Sequence, residues 1–391
     1  TTSGSSRPTW VSEMDSAEHR LAGFASSLAL GDLPDSVIDR VGLTVADTIG
    51  TIVGGMDDPA IQGLVEQWQS TSNGGATILG GAGQRATSYE AAFVNASAGT
   101  VLELDEGHRF AAGHPAIHVL PALLAAGEYG YESRDEFVAA FVAGYEVNAR
   151  VARATYPLAD GYHPHGVWGA VGGAAAVARL RSFGRDEMLA AMQIAANYAQ
   201  HTRFEAATEG ATVRNTFAGM SNLAALVSAD LAAAGFTGLE AGIERHLSGV
   251  TAEGFDRSRL TADLGDRWEI ERGYFKVHAA CRYTHATLDA IDATLNEDPD
   301  LAPADVDAVT VETYPAAARL SNPAPENALQ AKFSIPFAVA TALVNGDTGR
   351  DAFTAEAITP EALALAERVT VTVGEDVAER VPAERGARVT V

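Results

Sequence analysis

Two residue types are almost missing from this sequence. Cys281 is the single cysteine in 391 residues, so an intrachain disulfide is impossible and multi-cysteine zinc or iron–sulfur centres are excluded. A reducing compartment fits that usage. Lysine occurs only at Lys276 and Lys332, while 27 basic residues face 51 acidic ones for a net charge of −24. Such an acidic surface disfavours nucleic acid and anionic membranes as partners. It fits a high-salt cytoplasm, with a GC-rich genome that favours Arg codons as the alternative source of the bias. Long apolar runs are missing too: none reaches the roughly 18 residues that would span a bilayer. Thr1 to Pro8 is polar, without the apolar centre of a signal peptide. A cytoplasmic chain with a short disordered N-terminal lead is expected.

Several catalytic motifs are also lacking. There is no G-x-G-x-x-G, so the small-residue run GVWGAVGGAAA from Gly166 does not bind a dinucleotide. Gly74 to Gly83 carries glycines around a strand-like stretch and reads as a turn. No G-x-S-x-G elbow is present. The close histidine pairs are His114/His118 and His163/His165, without an H-E-x-x-H context. A bound metal is therefore not expected from the spacing.

What is present is mostly helix. Val37, Val41, Val45, Ile49 and Ile52 form an apolar stripe that stops at Gly54-Gly55. Ser133 and Glu136 have capping-box spacing ahead of Phe137, Phe141 and Tyr145. Further helices are expected from Glu187 to about Tyr198 and from about Ser221 to Ala234. The pattern changes after Trp268: Asp305 to Thr313, Arg368 to Val373 and Ala387 to Val391 read as strands, and Lys332 to Val344 and Pro360 to Glu367 as helices. The expectation is a mainly α chain, with a helical domain over 12–266 and a smaller α/β domain over 267–391.

Three segments concentrate reactive side chains. Glu103, Asp105 and Glu106 lead to Gly113-His114-Pro115, where Pro115 is expected to open a helix from Ala116 to Ala126 with His114 at its positive end. His163-Pro164-His165 repeats the arrangement. Lys276, His278, Cys281, Arg282 and His285 lie within ten residues of one another, and retaining one of two lysines there points to a required ammonium. Arg214, before the next helix, has the fork that clamps a carboxylate. Lys332 stands near another helix start.

Taken in order, VADTIGTIVGG, GGATILG, AAFVNASAGTVLELDEGH, GHPAIHVLPALLAA, GYHPHGVWGAVGGAAA, ATVRNTFAG, FKVHAACRYTH and AKFSIPFAVA resemble the MmgE/PrpD family. The resemblance implies a large helical domain with a smaller α/β lid, a homodimer, no cofactor, and proton chemistry beside the carboxylates of a small polycarboxylic acid. It implies catalytic roles for Glu103, Asp105, His114, His163 and His285, and substrate binding by Arg214, Lys276, Arg282 and Lys332. Three departures stand out. Gly107 replaces a threonine-like position, Cys281 replaces a histidine found in some decarboxylases, and the return helices the family implies do not follow within this sequence, which leaves either a shortened chain or an end that lies beyond it as the expectation. The leading expectation is a hydro-lyase similar to 2-methylcitrate dehydratase. An epimerase or decarboxylase is the alternative, and a catalytically silent dimeric binding protein the third.

Overall fold

The computed structural model of the chain describes residues 16–69, 74–130 and 133–391. The polar lead Thr1 to Pro8 lies outside them. The chain is mainly α, and it divides into two units. The first comprises the described residues up to Thr100 together with Asp105–Arg203 and Asn215–Phe275. The second comprises Val101–Leu104, Phe204–Arg214 and Lys276–Val391.

The first unit is built around the helix Gly169–Leu180, every residue of which is buried. Small residues make this possible. Gly144 on the helix Arg134–Ala154 and Gly172 face each other so closely that a Cβ on either would meet the other's carbonyl. Asn148 Oδ1 accepts the Gly172 N–H at 2.8 Å, tying the two helices at their closest approach. The helices Arg185–Asn197 and Phe217–Ala233 pack on the same central element. Ser133 caps Arg134–Ala154 by accepting the Glu136 N–H, as the capping spacing implied. The helix Asp35–Gly55 covers the expected Val37 stripe and ends at Gly55, but its buried face takes Thr44, Thr48 and Thr51 with Val37, Val41 and Ile52, leaving Val45 and Ile49 only partly buried.

The second unit carries a three-stranded sheet. Val309–Thr313 is central, parallel to Val369–Val373 and antiparallel to Ala387–Thr390. Its alternate residues Val309, Val311 and Thr313 are buried, the period of two expected of a half-covered strand. The helices His285–Glu297, Ile335–Asn345 and Pro360–Ala366 supply the rest of this core.

Three local expectations need correction. Asp305 does not begin a strand but ends the 3₁₀ turn Pro303–Asp305. Lys332 closes the short helix Ala328–Lys332 instead of opening the next, because the Ser334 hydroxyl caps Ile335–Asn345. The helix expected from Ala116 is a 3₁₀ turn, Ala116–His118, followed by Leu120–Gly127 with Pro121 in its first turn. Pro121 has no N–H to give, so the first turn cannot be continuous with the second.

Candidate active site

The acidic loop is fixed from both sides. Gly107 and His108 pair antiparallel with Tyr274 and Gly273, and the His108 N–H donates to Gly113 O at 2.8 Å. Gly107, where the resemblance leads one to expect threonine, has a physical reason: a Cβ there would run into the Tyr274 ring, which fills that space. This folding brings His114 back over the loop's own start. Its Nδ1 lies 2.7 Å from the Glu106 carbonyl and 3.2 Å from Asp105 Oδ2. Both partners can only accept, so Nδ1 carries a proton and the lone pair of the neutral ring sits on Nε2. The expected helix dipole therefore does not govern His114. A carboxylate and a carbonyl do, and they favour its protonated form.

His163 is set the other way. It caps the turn Pro164–Val167, and its Nδ1 accepts the His165 N–H at 3.1 Å. A ring that must accept at Nδ1 bears its proton on Nε2 and cannot become imidazolium without giving up that bond. Thr202 holds the segment in place, its Oγ1 donating to the carbonyls of His163 and His165 at 3.0 and 2.7 Å. Sequence reasoning weighed His165 and His118 only as metal ligands. In the structure they join this cluster: His165 stacks on His114, and His165 Nδ1 meets His118 Nε2 at 3.0 Å. His114 is the accessible member, its side chain 12% exposed against 1% for Asp105 and for His165.

Glu106 belongs to the same loop. Burial, opposed by hydrogen bonds from Tyr145 and the Ala116 N–H, pushes its carboxyl up to about 8. It is therefore a neutral acid at pH 7 and adds no charge beside His114.

The remaining candidates lie in the second unit. Glu103 sits at φ 54°, a left-handed conformation that a residue other than glycine seldom adopts. Its carboxylate pairs with the Arg214 guanidinium and with Lys276 Nζ, the latter at 3.3 Å. Glu103, expected from sequence to act as an acid or base, is an ion-pair acceptor in this structure. His285 opens the helix His285–Glu297, with Nε2 3.2 Å from the Ala280 carbonyl. Burial, reinforced by Lys276 and Arg282, lowers its pKa to about 2 and favours the neutral ring. Cys281 is buried, and that burial, with Glu103 adding to it, pushes its thiol up to about 12. The thiol form is favoured, in line with its reading as a small core residue. Arg282 begins a 3₁₀ turn, and the Lys332 carbonyl accepts the Cys281 N–H at 2.9 Å. Tyr314, which sequence reasoning missed, is buried with a hydroxyl that has no hydrogen-bond partner among the described residues.

Asp105, His114 and His165 are close enough to be tested as a metal site. The geometry does not suit one. A metal lies in the plane of each imidazole that binds it, yet the rings of His114 and His165 are stacked 4.6 Å apart and only 8° from parallel. His114 Nδ1 also owes its proton to the Glu106 carbonyl. The arrangement suits proton transfer: one accessible imidazole, a carboxylate behind it, and a second imidazole that presents an N–H.

Comparison with known proteins agrees with this architecture. Residues 19–258 match the MmgE/PrpD N-terminal domain and residues 278–391 the MmgE/PrpD C-terminal domain. The chain is 28% identical to a cis-aconitate decarboxylase of Aspergillus terreus over 71% of its own length and 60% of that protein's. It is 25% identical to the cis-aconitate decarboxylase of Homo sapiens, over 82% of this chain and 68% of the human protein. The chain thus spans about three fifths of the length of the fungal relative. Among the described residues, no helix is long and apolar enough to cross a membrane. From its two matched domains, the chain belongs to the MmgE/PrpD family.

Proposed function

We propose that the protein is a cofactor-independent lyase that decarboxylates a small tricarboxylic acid of the cis-aconitate type, with His114 as its proton carrier. The observation that carries this reading is the placement of His114 Nδ1 between the Glu106 carbonyl and Asp105. That placement lets Nε2 take and release a proton while the rest of the ring stays bonded. Decarboxylation of an allylic acid needs such a group: a proton adds at one carbon of the C=C bond, the double bond shifts, and the C–C bond to the departing carboxylate breaks with release of CO₂. His163 offers its Nε2–H as a neutral donor to the substrate. Arg214 and Lys276 are assigned to substrate carboxylates, as the resemblance implies.

The similarity to decarboxylases displaces dehydration from the lead it held on sequence alone, and with it the weight given to the Cys281 departure. Dehydration is the second reading, because a neutral His114 has the Nε2 lone pair required to remove an α-proton. A homodimer working in high salt is part of the proposal, the latter supported by the net charge of −24.

The test is to incubate the protein with cis-aconitate, citrate and 2-methylcitrate in D₂O across a range of salt. Release of CO₂ from cis-aconitate, with one deuterium on carbon in the five-carbon product, is expected. Loss of water from either hydroxy acid, without CO₂, replaces the lead with the second reading. Deuterium exchange without net product points to an isomerase, and binding without any turnover overturns the assignment of an activity.

A further inference from the structure

Behind His114 stand two more imidazoles, and their hydrogen-bond directions can be worked out. His165 Nε2 lies 3.7 Å from Asp105 Oδ2, the same oxygen that His114 Nδ1 approaches at 3.2 Å. On its other edge His165 Nδ1 is 3.0 Å from His118 Nε2. One proton lies between those two nitrogens. Were it on His165 Nδ1, a neutral His165 would aim its lone pair at a carboxylate oxygen. Repulsion selects the opposite arrangement, in which His118 Nε2–H donates to His165 Nδ1 and the protonated His165 Nε2 faces Asp105 across 3.7 Å, an electrostatic approach without a hydrogen bond.

The fold makes specific provision for this pair. His118 is fully buried against the start of the helix Gly169–Leu180, where a Cβ on Gly169 would collide with its ring. Only glycine leaves that space. Trp168 packs edge-on to His118 with centroids 5.5 Å apart. Gly166, at φ 93°, turns the chain directly after His165. Two apolar side chains would fill the same volume without burying four ring nitrogens, whose desolvation has to be offset by hydrogen bonds.

We propose that His165, oriented by His118, is a positioning residue that shares Asp105 with His114 and thereby sets how tightly His114 holds its transferable proton. The proposal rests on the reading of His114 as proton carrier. A carboxylate beside an imidazole favours the charged ring, and the partial positive charge of a second protonated ring nitrogen 3.7 Å from the same oxygen offsets part of that pull through space, without a shared hydrogen bond. With His165 in place, His114 gives up its proton more readily. Without it, the whole of the Asp105 charge acts on His114, which then stays protonated to higher pH. The other titratable groups facing this set are Glu106, with Tyr145 and Asp47 behind it, and His163, which stacks on His165 at 5.1 Å. Glu106 is held neutral at pH 7 by its burial, so it does not take over the role of Asp105.

The first measurement needs no variant and no substrate. In the full chain labelled with ¹⁵N-histidine, the ring nitrogens of His165 should report a protonated Nε2 and a bare Nδ1, and the reverse tautomer overturns the proposal. The second follows the titration of His114, identified by the signal lost in His114→Gln. His165→Phe keeps the stacked ring but removes both nitrogens, and is expected to raise the His114 midpoint by about 0.5 to 1 pH unit. His165→Gln restores an N–H towards Asp105 and should bring the midpoint back to within about 0.2 unit of the parent. His118→Ala should move it upward by less than His165→Phe does. A midpoint that does not move in His165→Phe, or in His118→Ala if the first variant does not fold, overturns the positioning role alone. The underlying reading fails separately, through full activity in His114→Gln.

Discussion

Two histidine–carboxylate pairs, one fully buried and one with an accessible ring, lie six residues apart in this chain, with the same 3.2 Å separation and opposite characters. His108 Nδ1 accepts the Ala111 N–H, so its Nε2–H donates to Glu269. Glu269 is also paired with Arg153 and, at 2.9 Å, with Arg272, whose guanidinium lies 3.8 Å over the Phe110 ring. Burial would raise the Glu269 carboxyl, but the His108 hydrogen bond and Arg153 outweigh it and hold it at about 2. Burial, with Arg272 and Arg153 adding to it, lowers the pKa of His108 against the pull of Glu269. This imidazole is a tie between the acidic loop and the Glu269–Arg272 turn, neutral and fully enclosed. Asp105 instead meets imidazoles, and His114 keeps an accessible edge. The pair's own geometry does not decide its use; the charge already spent on the carboxylate, and access to the ring, do.

The sharpest way to break this comparison is kinetic. His114→Gln should lose at least about 10²-fold in rate with the fold intact, the lower range for one acid–base group. His108→Gln should stay within about tenfold of the parent rate and instead lose about 1–3 kcal/mol of stability, the cost of disturbing a buried hydrogen bond to a charge. Initial rates and urea unfolding on the same preparations distinguish the two. Equal rate losses would remove the distinction.

The carboxylates should show the converse. Glu269→Gln leaves Arg153 and Arg272 without their shared anion and should destabilise the protein by about 3 kcal/mol. Asp105→Asn keeps the side chain's shape beside the imidazoles of His114 and His165, and should cost about 1 kcal/mol in urea while lowering the rate. A larger unfolding cost for Asp105→Asn would make the His114 pair the structural one.

Much of the first unit was legible because its helices obey simple spacing. The Val37 stripe, the Ser133 cap and the glycines of the Gly169–Leu180 helix each announce their local structure. His114, Asp105 and His163 were also visible, through His-Pro segments beside acids. Their division of labour was not, because it depends on which ring nitrogen faces a carbonyl and which an N–H, and chain spacing does not encode that. Glu103 illustrates the limit well. It is two residues from Asp105 and of the same chemical type, yet its left-handed backbone leads its carboxylate to Arg214 and Lys276 instead. Glu269 was missed, and Tyr145 was read only as part of a helix face, because their partners lie 161 and 39 residues away in sequence, at His108 and Glu106.

Stability also depends on pH, with a sign that differs between the two regions. Glu106 carries a folded pKa of about 8, raised by burial above an unfolded value of about 4.3. The native state therefore holds a proton that the unfolded state releases. Its contribution is complete below about pH 4.3 and is lost as pH rises through 8, by at most about 1.4 kcal/mol per unit. Glu269 runs the other way. With a folded pKa of about 2, its contribution is present above about pH 4.3 and disappears as pH falls through 2. Thermal melting from pH 3 to 9 should accordingly peak on the acidic side of neutrality. Glu106→Gln should flatten only the alkaline limb, because Gln keeps acceptor and donor positions but has no proton to lose. Glu269→Gln should flatten only the acidic limb. If Glu106→Gln instead left the alkaline slope unchanged, the carboxyl beside His114 would already be ionised at neutral pH, and His114 would face two negative charges where the present assignment gives it one.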